Sequence, residues 1–323
     1  METYLFPFSQ YWWAYLAFTG LIAFLLALDL GVFNKTPHTV SIKEATIWTV
    51  VWTVVALIFN WSIWGYAATK FPPEVAEQVA LEFAAGYVIE RALSFDNIFI
   101  FIVVFNYFAI PPRLQHRVLF YGIIGAFVFR GIFIALGSVL MQFHWVVVIF
   151  GVLLIVTGIR MVSGGDDQIE PEKNPFIRLL KKWVPITTEI HGASFFVKKH
   201  QKWHATPLLV ALLFLELTDI VFAIDSVPAV FALTKEPLLV FTSNIFAILG
   251  LRAMYFMLAG AMELFYLLKY GLAAVLVFVG LKMTIFNDVW LPHISIGWSL
   301  TVICCILAVS VVFSLVIPRK KEV

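Results

Sequence analysis

The chain has 323 residues, of which 62% are hydrophobic and only 13% charged, and its mean hydropathy is +0.94. Soluble domains carry about 45–50% apolar and about 25% charged residues, so this composition excludes a soluble globular enzyme and a disordered chain. The formal net charge is only +2, and we expect no nucleic-acid partner. The sequence therefore predicts an all-α, polytopic membrane protein.

Nine apolar stretches are long enough to cross a bilayer as helices, which need about 20 residues each. In chain order they lie near 11–33, 45–68, 83–110, 118–141, 143–162, 207–233, 238–260, 265–286 and 294–317. We number them as predicted helices 1 to 9 of a single transmembrane domain over 1–323. The one sizeable loop, 163–206, is expected to contain a basic amphipathic helix at 175–183 and a short strand at 195–199.

Lysine and arginine residues are concentrated in alternate loops. Seven of them lie in the loop 163–206, and the opposite side has only Lys70, Lys235 and, near the end of predicted helix 8, Lys282. Cytoplasmic loops of membrane proteins carry an excess of basic residues. We therefore expect the N-terminus to lie outside, and the loop 163–206 and the C-terminus to be cytoplasmic.

Two segments of the chain resemble each other. Residues 89–97 and 218–226 each place two acids six residues apart, followed by a small polar residue. The matched pairs are Glu90 with Asp219, Asp96 with Asp225, and Asn97 with Ser226. The match continues at a slightly shorter offset, and it pairs Arg130 with Arg252 and 158–161 with 280–283.

The matched segments belong to two units of three predicted helices. The first unit contains predicted helices 3–5 (about 83–162), and the second contains predicted helices 6–8 (about 207–286). Because each unit has an odd number of spans, the two copies must have opposite orientations in the membrane. Inverted repeats are typical of secondary transporters, whose substrate site lies at the repeat interface near the bilayer midplane.

Acidic residues are unusually frequent inside the predicted spans. Each charge at the bilayer centre costs roughly 2.5–3.5 kcal/mol on insertion scales, and Arg91, Arg130 and Arg252 can neutralise at most three acids. The surplus predicts bound protons, water or a cation. Carboxylate, amide and hydroxyl oxygens favour Mn²⁺, Ca²⁺ or Mg²⁺ over Zn²⁺ or Cu⁺. The six acids are Asp29, Glu90, Asp96, Glu216, Asp219 and Asp225.

Helix geometry limits how these acids can meet. Residues six apart on a straight helix point about 120° apart, so both acids of a pair cannot aim at one ion. Residues seven apart share a stripe, as do Glu90 with Asn97 and Asp219 with Ser226. Pro228 is expected to kink or break predicted helix 6 beside this stripe and to free a carbonyl group for the site.

Other polar residues inside the spans leave alternatives open. Arg130 and Arg252 either orient the carboxylates and drive release of the ion, or form structural ion pairs that lock the repeats together. Asp29 and Glu216 belong to the cation site or face an arginine or a water-filled crevice. Asn244 is expected to form a hydrogen bond between helices.

Three long segments carry a resemblance to a known family. The segments 86–97 (GYVIERALSFDN), 216–228 (ELTDIVFAIDSVP) and 243–255 (SNIFAILGLRAMY) resemble the signatures of the TerC family, and the whole chain is similar to its Alx branch. The resemblance implies an inner-membrane protein of the LysE-type transporter superfamily that exports manganese. Carried over by motif, the implied metal-site residues are Glu90, Asp96, Asn97, Glu216, Asp219 and Asp225.

The sequence thus predicts a bacterial inner-membrane exporter of Mn²⁺ that works by alternating access, with proton coupling as an added expectation. Its partners would be the divalent cation and the lipid bilayer, and no organic cofactor is expected. One alternative is a non-transporting protein that binds metal or modulates redox state, as described for the Alx branch. A third hypothesis is an intramembrane aspartyl protease that uses Asp96 and Asp225; otherwise we expect no enzymatic activity.

Overall fold

The computed structural model describes residues 4–28, 40–163, 185–187, 189–199, 202–259, 265–286 and 294–317. These residues form ten helices and one β-hairpin. The helices are α1 (Phe8–Leu28), α2 (Ile42–Lys70), α3 (Pro73–Tyr107), α4 (Pro112–Leu140), α5 (His144–Ser163), α6 (Pro207–Phe231), α7 (Pro237–Leu249), α8 (Leu251–Leu258), α9 (Leu268–Thr284) and α10 (Ile296–Val316); the strands are β1 (Phe196–Lys199) and β2 (Lys202–Ala205).

Seven segments in the described part of the chain are long and apolar enough to span a bilayer, with α7 and α8 counted as one. Two further helices do not qualify. α3 contains six charged residues, and α9 has only 17 residues. The mostly helical, multi-pass architecture is thus confirmed, and the number nine stays a prediction.

Two helices differ from their predicted bounds. α3 begins at Pro73, ten residues before predicted helix 3, because proline is well suited to the first position of a helix. Predicted helix 7 is divided at Gly250 into α7 and α8. At this break Arg91 Nη1 of α3 donates to the carbonyl oxygen of Ala247 at 3.0 Å, and a Cβ atom on Gly250 would collide with the Arg91 guanidinium.

Glycines allow the closest helix contacts. α5 and α9 cross where a Cβ atom on Gly280 would lie 2.5 Å from the carbonyl oxygen of Gly151. Two helical turns further along α5, a Cβ atom on Gly158 would lie 2.7 Å from the carbonyl oxygen of Ala273. Residue numbers rise along one helix and fall along the other, so α5 and α9 are antiparallel. Such small-residue seams are typical of helix pairs in membranes.

The other central helices pack in two parallel pairs. α3 packs on α7, where Gly86 faces Ser243, and α4 packs on α6, where Gly125 faces Glu216. The pair of α7 and α8 is the most deeply enclosed of the candidate spans. α3 and α6 also contact each other, and this contact brings the two acid-bearing helices together.

The bundle has two distinct ends. One end carries the hairpin, in which β1 and β2 pair antiparallel with Phe196 opposite Ala205, and we call it the hairpin end. The opposite end carries residues 4–7 and the α6–α7 connection, and we call it the Glu236 end. The strand predicted at 195–199 is confirmed as β1. The predicted amphipathic helix at 175–183 lies outside the described residues.

Candidate functional site

Two buried carboxylates and one arginine meet in the middle of the bundle. Glu90 of α3 forms an ion pair with Nη1 of Arg130 from α4, and Arg130 Nη2 donates to Asp219 Oδ1 of α6 at 3.4 Å. Glu90 and Arg130 are each 1% exposed and Asp219 is 6% exposed. Arg130 therefore bridges the two acids that the sequence matched between its two similar segments.

Neutral polar side chains complete this group. Arg130 Nη1 also donates to Asn244 Oδ1 at 2.7 Å and to Ser226 Oγ at 3.1 Å, and Asn97 Nδ2 donates to Asp219 Oδ1 at 3.4 Å. The stripe of Glu90 and Asn97 thus faces the stripe of Asp219 and Ser226. We call the whole group the central cluster; its members are Glu90, Asn97, Arg130, Asp219, Ser226 and Asn244.

The central cluster lies far from both ends of its helices. Glu90 is 17 residues from the start of α3, or about 25 Å at 1.5 Å per residue, and Asp219 is 12 residues from each end of α6, or about 18 Å. This depth matches the position expected for a substrate site near the bilayer midplane.

The central cluster has unused acceptors and an excess of negative charge. Glu90 Oε2 and Asp219 Oδ2 are buried, and neither accepts a hydrogen bond from any described residue. Two carboxylates share one guanidinium, so the ionised cluster carries one surplus negative charge. A buried, unpaired carboxylate oxygen is costly, and a proton or a metal cation would satisfy it.

A small crevice lies beside the central cluster, in the hairpin half of the bundle. Asp219, Glu216 and Arg252 line it together with apolar residues such as Phe101 and Leu251. Glu216 Oε2 is buried and has no hydrogen-bond partner among the described residues. The crevice therefore has two carboxylates, those of Glu216 and Asp219, in its lining.

The remaining predicted site residues lie elsewhere. Asp225 receives a hydrogen bond from Thr157 Oγ1 of α5 at 3.4 Å. Asp96 is partly buried and makes no hydrogen bond or ion pair within the described residues. Asp29 lies outside the described residues.

The six predicted acids and amides are thus not all at one point. Among the described residues, no three acidic, histidine or cysteine side chains are grouped closely enough to hold a metal ion. The physical reason is the six-residue spacing, which turns Asp96 and Asp225 about 120° away from Glu90 and Asp219. Glu90, Asn97 and Asp219 come together, Glu216 lies beside them, and the metal-binding role of all six stays a prediction.

Of the two outcomes expected at Pro228, a kink or a break, the break is wrong. α6 continues to Phe231, so Pro228 lies in the last turn. There its missing N–H group removes one intrahelical bond without dividing the helix. The broken span is instead the one that joins α7 to α8 at Gly250.

Sequence reasoning missed three buried charged residues near the Glu236 end. Glu82, Glu236 and Lys282 are 7%, 7% and 8% exposed. Glu82 was left out because predicted helix 3 began at residue 83, and Glu236 because it lies between predicted helices 6 and 7. The pair Pro72–Pro73, which favours a helix start at residue 73, was the available signal for Glu82.

Comparison with known proteins adds a family to this geometry. A model of the integral membrane protein TerC family matches residues 75–322. No solved structure matches the chain.

Curated relatives match nearly the full chain. An "Uncharacterized membrane protein STKORF319" of Myxococcus xanthus is 46% identical over 99% of this chain and 96% of its own length. Two relatives are named "Putative membrane-bound redox modulator Alx", and both are 43% identical to this chain. The match to the Photorhabdus laumondii protein covers 94% of this chain and 95% of that protein. The match to the Escherichia coli K12 protein covers 92% of each chain. With three quarters of the chain covered by the family model, the protein belongs to the TerC family of integral membrane proteins.

Proposed function

We propose that the protein exports a divalent cation, Mn²⁺ in particular, across the bacterial inner membrane by alternating access. The observation that carries this proposal is the central cluster. It places one carboxylate from each of two similar helices in the middle of the bundle, with a buried, unpaired oxygen on each. Hard oxygen donors of this kind suit Mn²⁺, with Mg²⁺ and Ca²⁺ as alternatives.

An inverted repeat is part of this proposal, and the helix packing supports it. If α3–α5 match α6–α9, then the contact of α3 on α7 has its counterpart in the contact of α6 on α4. The glycine seam of α5 and α9 follows the same rule. In the repeat, Gly158 matches Gly280 and Gly151 matches Ala273. The contact of Gly151 with Gly280 therefore has its counterpart in the contact of Gly158 with Ala273. Two such halves can rock against each other around a shared site.

In this mechanism Arg130 acts as a tethered competitor of the exported ion. Its guanidinium occupies the space between Glu90 and Asp219. A cation arriving through the crevice must displace Arg130 from at least one acid, and the return of Arg130 then favours release on the other side. Protons that compete for the same carboxylates can supply coupling.

The orientation also belongs to the proposal. The basic residues of the loop 163–206 favour a cytoplasmic hairpin end, and the Glu236 end would then face outward. The crevice beside Glu216 would take up the cation from the cytoplasm, as an exporter requires.

Two other functions compete with export. The names of the Alx relatives favour a redox role, but the two cysteines, Cys304 and Cys305, are neighbours on α10 and cannot form an unstrained disulfide. The protease hypothesis needs Asp96 and Asp225 to share a proton. Within the described residues no hydrogen bond joins these two acids, and Asp225 is bonded to Thr157 instead.

The decisive test is Mn²⁺ flux into or out of proteoliposomes that contain the purified protein. We expect the Glu90→Gln and Asp219→Asn variants to transport Mn²⁺ at least tenfold more slowly than the native chain. Glu77→Gln is the matched control, because Glu77 is an exposed acid on the same helix as Glu90. Its rate should equal that of the native protein.

The outcomes separate the three functions. Native protein that moves no Mn²⁺ but binds it through Glu90 and Asp219 would be a metal-binding protein without transport. Full flux in both variants, with folding verified by thermal unfolding, would contradict the assignment of the central cluster. Cleavage of a membrane peptide that depends on Asp96 and Asp225 would favour the protease.

A further inference from the structure

A second buried polar network joins α3 to the α6–α7 connection at the Glu236 end. Thr234 Oγ1 donates to Glu82 Oε2 at 2.5 Å, and Gln78 Nε2 donates to Glu82 Oε1 at 2.8 Å. Thr234 Oγ1 also accepts a hydrogen bond from the backbone N–H of Glu236 at 3.2 Å. These contacts fasten the connection to the first third of α3.

The same connection holds the N-terminal segment. The backbone N–H groups of Leu5 and Phe6 donate to the two carboxylate oxygens of Glu236 at 2.6 and 3.1 Å. Phe6 is 1% exposed and packs edge-on against Phe71, which follows the end of α2. Tyr4 is bonded to the far end of α4 through the carbonyl oxygen of Ser138 at 3.4 Å. Residues 4–6 therefore form a strap across three junctions of the bundle.

Because the network contains buried charged groups, breaking only some of its contacts costs free energy. Glu82 and Glu236 are buried, and Lys282 of α9 is a buried basic residue at the same end of the bundle. Removing one partner of a buried charged network leaves the others without compensation. The network therefore favours one packed state, and its contacts separate together.

The network lies between the central cluster and the Glu236 end along α3. Glu82 precedes Glu90 by eight residues on α3, or about 12 Å. Between them, α3 packs tightly on α7, where a Cβ atom on Gly86 would lie 2.7 Å from Ser243 Oγ and 3.1 Å from Val230. The crevice to Asp219 is on the other side of the central cluster.

We propose that this network is a latch that keeps the pathway closed at the Glu236 end and opens for the cation to leave. The latch consists of Gln78, Glu82, Thr234, Glu236 and the strap of residues 4–6. It rests on the proposed function, because it takes the central cluster as the point from which the cation departs. Thr234 and Glu236 lie two residues apart, so one movement of the α6–α7 connection away from α3 releases Glu82 and the strap together.

The test measures access to the closed region and needs no transport. In a chain with Cys304→Ser and Cys305→Ser, the near-isosteric Ser243→Cys substitution places a single thiol behind the latch, at a position that is fully buried. A membrane-impermeant maleimide is added from the Glu236 side. We expect Glu236→Gln and Thr234→Val each to raise the labelling rate at least fivefold, because each removes latch contacts.

Two controls separate opening from misfolding. Glu77→Gln alters an exposed acid five residues before Glu82 and should leave the labelling rate unchanged. A second reporter, Ala56→Cys, lies fully buried in α2 away from the latch, and it should stay unlabelled in every variant. Unchanged labelling of the Ser243→Cys reporter in both latch variants, with the Ala56→Cys reporter protected, would overturn the latch.

The latch and the proposed function fail in different ways. Faster labelling in the latch variants, combined with no Mn²⁺ flux by the native chain, would refute export and the exit role of the latch, but would retain the network as the closure of the Glu236 end. Native flux together with unchanged labelling would refute the latch alone.

Discussion

Arg130 is the residue on which the arrangement of the central cluster depends. Its single guanidinium bonds to Glu90, Asp219, Ser226 and Asn244, which come from three different helices. A lysine could not replace it, because an ammonium group is a compact point charge that lacks the planar, five-donor fork of arginine.

We expect Arg130→Gln to lower the free energy of unfolding by about 3–5 kcal/mol, because it leaves two buried carboxylates without their cation. The double variant Arg130→Gln with Glu90→Gln should be more stable than Arg130→Gln alone, since it removes one of those uncompensated charges. Thermal unfolding of the protein in detergent measures both effects. Strictly additive losses would show that Arg130 and Glu90 are not energetically coupled.

At the residue scale, the sequence predicted the facing stripes better than the full site. The seven-residue spacing of Glu90 and Asn97 indicated one helix face, and the structure places that face against Asp219 and Ser226. The sequence also singled out Arg130. It could not predict that Asp225 turns to Thr157, because that contact depends on how α5 packs beside α6.

Among the helices, the crossing of α5 and α9 has the least tolerance for added volume. Gly151 and Gly280 face each other across the seam with backbone atoms, and backbone cannot move aside as a flexible side chain can. The seam therefore fixes the distance between the two helices that close the proposed repeats.

We expect Gly280→Ala to destabilise the protein by about 1–3 kcal/mol, because the added methyl group overpacks the seam. Gly65→Ala is the matched control. Gly65 also lies inside a helix, but a Cβ atom there meets nothing within 4 Å. Alanine is the better helix former, so this control should be neutral or stabilising by up to about 1 kcal/mol. Equal unfolding midpoints for the two variants would contradict the role of the seam.

Helix existence was easier to predict than helix interruption. Apolar length revealed the spans, but the sequence analysis expected an interruption at Pro228 and none at Gly250, where the structure has one. Pro228 is close enough to the end of α6 to be tolerated. Gly250 interrupts a helix because Arg91, from a distant part of the sequence, fills the gap and bonds to Ala247.

The orientation of the whole molecule is testable with two exposed positions. In a chain with both native cysteines replaced by serine, Lys198→Cys in the hairpin should react with an impermeant maleimide only in inverted vesicles. Glu74→Cys, at the Glu236 end of α3, should react only in intact spheroplasts. This result follows from the basic residues near the hairpin and the rule that they stay in the cytoplasm. Reversed labelling of the two positions would contradict the proposed orientation and favour import over export.

At this scale, composition alone was enough to predict a multi-pass helical protein, because so little of the chain can face water. The tertiary arrangement was predictable only in part. Helix spacing along the chain cannot reveal that α7 and α8 occupy the centre, nor that residues 4–6 cross the bundle to reach Glu236.

The guanidinium between the two central acids has an electrical consequence. With both acids ionised, the cluster bears one negative charge when empty and one positive charge when a divalent ion is bound. Moving a unit charge through a potential of 100 mV involves about 2.3 kcal/mol. In the proposed export cycle, an inside-negative voltage would therefore oppose both the outward step of the loaded protein and the inward step of the empty one. A single proton taken up outside would make the return journey electroneutral.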